Sequence, residues 1–220
     1  MTISSLNRYR PAGRPPKHPE GQTSIRISIL EQAILVFAEK GIPASTLAEI
    51  SQRVRITPAT LYYHFASREQ LIEQTLEYHL VPLIRYIWQA ALEVAGPLAM
   101  LDEFQKRMLF VANSSPWFLP LWSRELASEG GTLRAFLAAK IPEGASGKFL
   151  EKIRQGQTSG AINPRIVPEL LFISLIGGVY VPLLAKKNWE QIFNAEIPQE
   201  RALEHIQSLL TEGLTCRKEP

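Results

Sequence analysis

The stretch of residues 45–71, STLAEISQRVRITPATLYYHFASREQL, decides the fold of this chain because it marks the starts of two short helices. Ser45 or Thr46 can cap the first helix, and Glu49, three residues after Thr46, completes a capping-box pattern. Thr57 can cap the second helix, and a proline follows it at the first helical position, where proline is favoured. Two helices joined by so short a link predict a helix-turn-helix.

A longer helix is predicted on each side of this pair. On the C-terminal side, Ser67 can cap a long helix that begins at Arg68. On the N-terminal side, apolar residues recur at helical spacing on one face until Gly41 ends the helix. These apolar residues are Ile25, Ile29, Ala33, Val36 and Phe37.

The helix that starts after Thr57 has an unusual outer surface. Ile56, Leu61 and Phe65 can point into the small core, which leaves an outward set that is neutral and rich in hydrogen-bonding groups. Small residues at its start would let the helix approach base edges closely. An ordinary protein surface, or a protein-binding module, is the other interpretation. The outward set is Thr57, Pro58, Ala59, Thr60, Tyr62, Tyr63 and His64.

The rest of the chain has apolar residues at helical spacing, interrupted by glycine- and proline-containing breaks, and no sustained alternation of the kind that strands show. We therefore predict an all-α protein of about nine helices. Residues 1–22 hold four prolines and are predicted to form an extended basic arm. Residues 23–78 would form the helix-turn-helix domain, and 79–220 a larger helical domain.

Residues 25–78 resemble the DNA-binding domain of the TetR family, most specifically in TPATLYYHFASREQL at 57–71. The resemblance implies an N-terminal helix-turn-helix domain on a larger domain that binds a small molecule and dimerises. It also implies that Thr46, Tyr62, His64 and Arg68 hold DNA phosphates. By the same resemblance, Thr57, Pro58, Ala59, Thr60 and Tyr63 lie at or near the bases.

One position departs from the family pattern. Arg55 stands in the link between the two short helices, where the family usually places glycine. Glycine suits a left-handed helix stop, and another residue there costs about 1 kcal/mol. Either the link has a different geometry, or Arg55 accepts the strain and adds a phosphate contact.

Basic residues are concentrated near the N-terminus. Residues 1–68 contain nine lysines and arginines against four glutamates, although the whole chain is nearly balanced at 24 basic to 21 acidic residues. Arg14 lies in a Gly-Arg-Pro sequence that resembles the core of AT-hook segments, which insert arginine into the minor groove. The arm is therefore either a minor-groove contact or a tail that adds non-specific affinity.

The C-terminal two-thirds carries many aromatic and sulfur-containing side chains, most of them expected in the core. The resemblance implies a pocket for a small, largely apolar effector in this region. Residues 170–185 have no charge, and one subunit could cover only part of such a helix. We expect a symmetric homodimer to bury the rest, with a helix over 200–214 adjoining it. The candidate pocket residues are Trp88, Phe104, Met108, Trp117, Trp122 and Phe136, and the candidate dimer residues are Ser174, Gly178, Val181, Leu203, Ile206 and Leu210.

Several other classes of protein are disfavoured. The single cysteine, Cys216, allows no intramolecular disulfide and fits a cytoplasmic protein. The run 170–185 is short for a membrane span and contains two glycines and a proline, so we expect no membrane association. The sequence GASGK at 144–148 lacks P-loop spacing, and Phe149 stands where serine or threonine belongs. We expect neither an enzyme, nor a metal site, nor a cofactor.

These features together predict a cytoplasmic transcriptional regulator that binds a double-stranded palindromic operator as a dimer. We expect repression that a small apolar effector relieves. An architectural or division-linked DNA-binding protein of the same fold, without an effector, is the alternative. An enzyme with a helix-turn-helix appendage is a third class, which the missing catalytic motifs disfavour.

Overall fold

The computed structural model describes residues 19–126, 132–196 and 198, together with isolated helical positions between 201 and 213. Within that part of the chain every regular element is a helix, so the all-α prediction is confirmed. Nine helices have complete bounds there: α1 (Pro19–Lys40), α2 (Leu47–Val54), α3 (Pro58–His64), α4 (Arg68–Glu93), α5 (Pro97–Ser114), α6 (Phe118–Leu126), α7 (Thr132–Lys140), α8 (Ala145–Thr158) and α9 (Pro168–Phe193).

Helix α1 begins earlier than its apolar pattern indicates. The sequence assigned residues 1–22 to an extended arm, but α1 starts at Pro19, so 19–22 form its first turn. The reason is that proline is compatible with the first turn, where the backbone N–H has no helical partner. Residues 1–18 lie outside the described part of the chain, and so does the candidate minor-groove residue Arg14.

The chain divides into two compact units that are both discontinuous in sequence. The first unit contains Met1–Pro82 and Ser114–Phe136, and the second contains Leu83–Asn113 and Leu137–Pro220. α6 groups with the N-terminal helices, which the sequence did not predict, because local periodicity does not report which helices pack together.

The core of the first unit forms along the predicted face of α1. Four of the five predicted residues, from Ile29 to Phe37, are at most 2% exposed, and Ile25 is 36% exposed. Leu61 and Phe65 are fully buried, as their positions in the sequence predicted. The core therefore fixes α3 by its inner side, and Tyr62 and Tyr63 on the opposite side are exposed.

The core of the second unit is an aromatic cluster. The ring centroids of Trp88 and Phe104 lie 5.5 Å apart in an edge-to-face arrangement. Phe149 lies 5.3 Å from Phe104, and Phe172 lies 4.7 Å from Trp88. Such pairs add to the stabilisation that burial of their apolar area provides.

Helix α9 is continuous through the two glycines and the proline of residues 170–185. The segment Pro168–Lys186 is a 19-residue stretch with a mean hydropathy of 1.7, long and apolar enough to cross a membrane by length and composition alone. The estimate from residues 170–185 that this segment is too short was therefore wrong. The core helix of a soluble protein can have the same length and composition. One face of the helix is buried, including Leu175 and Val179, and the opposite face is exposed.

Candidate nucleic-acid interface

Thr46, rather than Ser45, caps α2. The Thr46 hydroxyl accepts a hydrogen bond from the Glu49 N–H at 3.2 Å, and the Thr46 backbone is extended, as a capping residue requires. Ser45 is buried and donates instead to the carbonyl of Gly41 at 2.7 Å. The exposed N-terminus of α2 therefore presents helical N–H groups, which favour a phosphate.

The link between α2 and α3 has the left-handed geometry that the sequence left undecided. Arg55 has φ 61° and ψ 42°, and its N–H bonds to the carbonyl of Gln52 at 3.1 Å. The N–H of Ile56 bonds to the carbonyl of Ser51 at 3.0 Å. These two bonds form a Schellman motif, which normally places glycine at the left-handed position. Arg55 therefore takes the glycine geometry despite its side chain.

Helix α3 starts as predicted and presents a polar outer side. The Thr57 hydroxyl accepts from the Thr60 N–H at 3.1 Å and lies 2.9 Å from the Thr60 hydroxyl. Tyr62 and Tyr63 are 55% and 73% exposed. Thr57, Pro58 and Ala59 are also exposed, whereas Thr60 and His64 are half-buried. Every residue of the predicted outward set is therefore exposed or half-buried, and none belongs to the core.

Arg26 fixes the C-terminal end of α3, which the sequence pattern did not reveal. Its guanidinium donates to the carbonyl of His64 at 2.7 Å and to the side chain of Gln74. It also lies over the ring of Phe65, 4.6 Å from the centroid. A cation at a helix C-terminus is favourable. The sequence did carry one sign of this role, because Arg26 lies one turn before Ile29 on the side of α1 that faces the core.

The positive charge that residues 24–82 offer to DNA is smaller than the sequence of this segment indicates. Arg53 pairs with Glu39, and Lys40 lies 2.8 Å from a carboxylate oxygen of Glu49. Arg26 and Arg68 both donate to backbone carbonyls, Arg68 to that of Ile42 at 2.6 Å. Of the lysines and arginines in residues 24–82, Arg55 alone makes no side-chain hydrogen bond or ion pair with a described residue.

His79 on α4 is a neutral part of the core. Its Nε2 lies 3.1 Å from the carbonyl of Leu30 on α1, and its ring centroid lies 5.5 Å from that of Trp117, just before α6. Burial lowers the pKa of His79 to about 4, and the hydrogen bond to Leu30 only partly opposes this. His79 is therefore uncharged near neutral pH.

The remaining predicted residues divide between the two units. Of the candidate pocket residues, Trp88, Phe104 and Met108 belong to the second unit and are buried, whereas Trp117, Trp122 and Phe136 belong to the first. Of the candidate dimer residues, Ser174 and Val181 are exposed on α9 and Gly178 is half-buried. The other three, Leu203, Ile206 and Leu210, lie outside the described residues.

Comparison with known proteins places the matched region on the helix-turn-helix. Residues 29–75 match the sequence model of the bacterial regulatory proteins of the tetR family. The HTH-type transcriptional repressor KstR2 of Mycolicibacterium smegmatis is 36% identical over 61 residues, 28% of this chain and 30% of that protein. The negative regulator IcaR of the biofilm operon icaADBC in Staphylococcus aureus (strain Newman) is 43% identical over 49 residues, 22% of this chain and 26% of that protein. The chain thus spans less than a third of either relative.

Two solved structures share the fold over most of the chain. KstR2 of Mycobacterium tuberculosis, described as a ketosteroid transcriptional regulator, aligns with a TM-score of 0.66 at 20% identity and covers 94% of this chain and 100% of that one. A TetR-family transcription regulator from Marinobacter aquaeolei VT8 aligns with a TM-score of 0.62 at 18% identity, over 90% of this chain and 99% of that one. At these identities the likeness concerns the fold alone.

Proposed function

We propose that this chain, whose residues 29–75 match the TetR family of bacterial regulatory proteins, is a member of that family and a cytoplasmic repressor that binds a palindromic operator as a dimer and leaves it when a small effector binds. The observation that carries the proposal is the outer side of α3. Its exposed residues are uncharged, three of them (Thr57, Tyr62 and Tyr63) carry hydroxyl groups, and they lie next to two capped helix N-termini, an arrangement that suits contacts to bases and to phosphates.

The contacts to DNA would divide by chemistry. Tyr62, His64 and the N-terminus of α2 at Thr46 would bind phosphates, and Arg55 would add the one cation of residues 24–82 that has no partner among the described residues. Thr60 and its neighbours in the first turn of α3 would contact base edges. Arg68 was a predicted phosphate ligand, but its guanidinium faces the carbonyl of Ile42, so we assign it to holding the loop instead.

The exposed face of α9 supports a dimer. Leu170, Ile173 and Val181 are 59%, 67% and 50% exposed, and they lie on the same side of the helix. Soluble proteins rarely leave such a contiguous apolar face open to water, and a second copy would cover it by two-fold symmetry. A dimer would also present two α3 helices to successive major-groove turns about 34 Å apart.

A buried amide supports an effector site in the second unit. Gln105 on α5 is 3% exposed, and its Oε1 has no hydrogen-bond partner in the described part of the chain. An unsatisfied buried oxygen destabilises a protein, and a bound molecule with a hydrogen-bond donor would satisfy it. With the aromatic cluster around Phe104, this favours an apolar effector that carries a hydroxyl or an N–H group.

The effector would act by linkage. The effector can lower the affinity for DNA only to the extent that it binds more tightly to a conformation whose two α3 helices do not match the operator. Thermal shift against a panel of apolar metabolites tests this, and a ketosteroid belongs in the panel because the related KstR2 is described by that class. A molecule that raises the melting temperature should also release DNA; a panel without any response would favour the architectural alternative.

Selection of duplexes from genomic fragments by the purified protein tests the DNA assignment. On a selected duplex, Tyr62→Phe and His64→Ala should weaken binding to all sequence variants about equally, because both residues contact phosphates. Thr60→Ala should instead relax the preference at one or two base positions. Tyr86→Phe, the same change in the second unit, is the control. A loss confined to particular sequences with Tyr62→Phe would contradict the phosphate assignment, and failure to select any duplex would refute the proposed function.

A further inference from the structure

Both backbone groups of Ile42 are bonded to charged side chains from other helices. Ile42 lies in the loop 41–46 that joins α1 to α2 and is 1% exposed. Its N–H donates to Oε1 of Glu125 on α6 at 2.7 Å, and its carbonyl accepts from the guanidinium of Arg68 on α4 at 2.6 Å. The loop is thus held from two sides by an acid and a base that are distant in sequence.

Glu125 is an unusual residue to find in a core. It is 2% exposed, and burial of a carboxylate is costly unless hydrogen bonds compensate for the lost hydration. The site is shaped for it: Gly41 has φ +86°, and a Cβ at that position would lie 3.3 Å from the Glu125 Oε1. A second bond runs alongside, because Arg124 Nε donates to the carbonyl of Ala38 at 3.2 Å. Consecutive residues of α6 therefore bind the last turn of α1 and the loop after it.

The loop in turn sets the start of α2. The Ser45 hydroxyl donates to the carbonyl of Gly41, and the Ser45 N–H donates to the carbonyl of Ile42 at 3.3 Å. Thr46, the next residue, caps α2 and is a candidate phosphate contact. A displacement of Ile42 would therefore reach the DNA-facing end of α2 within four residues.

We propose that Glu125 is a positioning residue for DNA binding, whose carboxylate holds the N-terminus of α2 in place through Ile42 and makes α6 a part of the DNA-reading unit. The inference rests on the proposed DNA-binding function. It also implies that residues 1–82 alone are an incomplete reading unit, since the first compact unit includes Ser114–Phe136.

The test compares three variants of the full-length protein. Glu125→Gln keeps an oxygen that can accept from Ile42, Glu125→Asp withdraws the acceptor by one methylene, and Glu125→Leu removes it. Glu143→Leu, at an exposed glutamate of the second unit, is the matched control. The probe is a duplex selected by the wild type, and affinity is measured well below each variant's melting temperature.

We expect the dissociation constant to rise about tenfold in Glu125→Leu, the size that loss of a charge-assisted hydrogen bond implies, and less in Glu125→Asp. Glu125→Gln and Glu143→Leu should stay within about threefold of wild type, as expected if the accepting oxygen matters more than the charge. Amide exchange at Ile42 should quicken in the Asp and Leu variants only, which links the affinity loss to this one bond.

The outcomes distinguish failure of the positioning role of Glu125 from failure of the proposed DNA-binding function. A wild type that selects no duplex refutes the proposed function itself. If the wild type binds and a folded Glu125→Leu variant has a dissociation constant within twofold of the wild-type value, the positioning role alone is overturned. Equal losses in the Gln and Leu variants overturn it too, because they deny the role of the acceptor. If Glu125→Leu does not fold, the comparison of Asp with Gln decides.

Discussion

Replacement of Arg55 by glycine should stabilise the protein while it weakens DNA binding. Arg55 has a left-handed backbone, which costs a non-glycine residue about 1–2 kcal/mol. Glycine avoids that cost but loses about 0.5–1 kcal/mol through its greater freedom in the unfolded chain. At the middle of both ranges the net gain is about 0.7 kcal/mol, since the backbone bond to Gln52 is kept. For a chain of this size, it should raise the melting temperature by about 1–4 °C.

The same substitution removes a cation that has no partner among the described residues. If Arg55 neutralises one phosphate, the slope of log affinity against log salt should fall in magnitude by about 0.9 for each subunit bound. Calorimetry and binding titrations at several salt concentrations measure the two effects on the same samples. Arg55→Lys should keep the salt slope and retain the backbone cost.

Asn194 provides the matched control for the backbone. It ends α9 with φ 45° and ψ 46°, and apart from Arg55 it is the non-glycine residue with positive φ in the described part of the chain. Asn194→Gly should stabilise slightly, since asparagine tolerates this region, and should leave the salt slope unchanged. A lower melting temperature for Arg55→Gly would refute the strain argument. An unchanged slope would refute the phosphate contact.

Three further predictions concern the core and the α9 face. In the folded protein the pKa of His79 is lowered to about 4 from an ordinary 6.5, so the free energy of unfolding should fall as the pH drops from 6.5 toward 4, by at most about 3 kcal/mol. The urea midpoint measured against pH should show this fall in the wild type and a much smaller one in His79→Gln. Gln105→Leu should stabilise the protein against urea by about 1–3 kcal/mol, because it removes an unsatisfied buried oxygen, and destabilisation would mean that the amide has a partner. Ile173→Glu should give a folded monomer, and Gly178→Leu a monomer or aggregate, in sedimentation equilibrium at about micromolar concentration, where the wild type should be a dimer. A wild type that sediments as a monomer would contradict the proposal that a dimer binds DNA through its two α3 helices.

Much of the helical structure around the helix-turn-helix could be predicted from the sequence because the signals for it are local. The caps of α2, α3 and α4 act between residues three apart, as in the bonds from Glu49 to Thr46 and from Gln70 to Ser67. The spacing of apolar residues likewise predicted the buried face of α1 and the inward Leu61. The start of α1 was missed because proline is read as a helix breaker, although it is tolerated in a first turn.

What holds these helices together was decided only by the tertiary structure. The bonds from Arg26 to His64, from Arg68 to Ile42 and from Ile42 to Glu125 span 38, 26 and 83 residues. No periodicity reports such partners, because a side chain's neighbours across the core depend on how whole helices pack. The sequence by itself determined where α2, α3 and α4 begin and which side of α3 faces outward. The packing decided that four of the five cations of residues 24–82 are used within the protein, that Arg55 remains available, and that α6 belongs with the N-terminal helices.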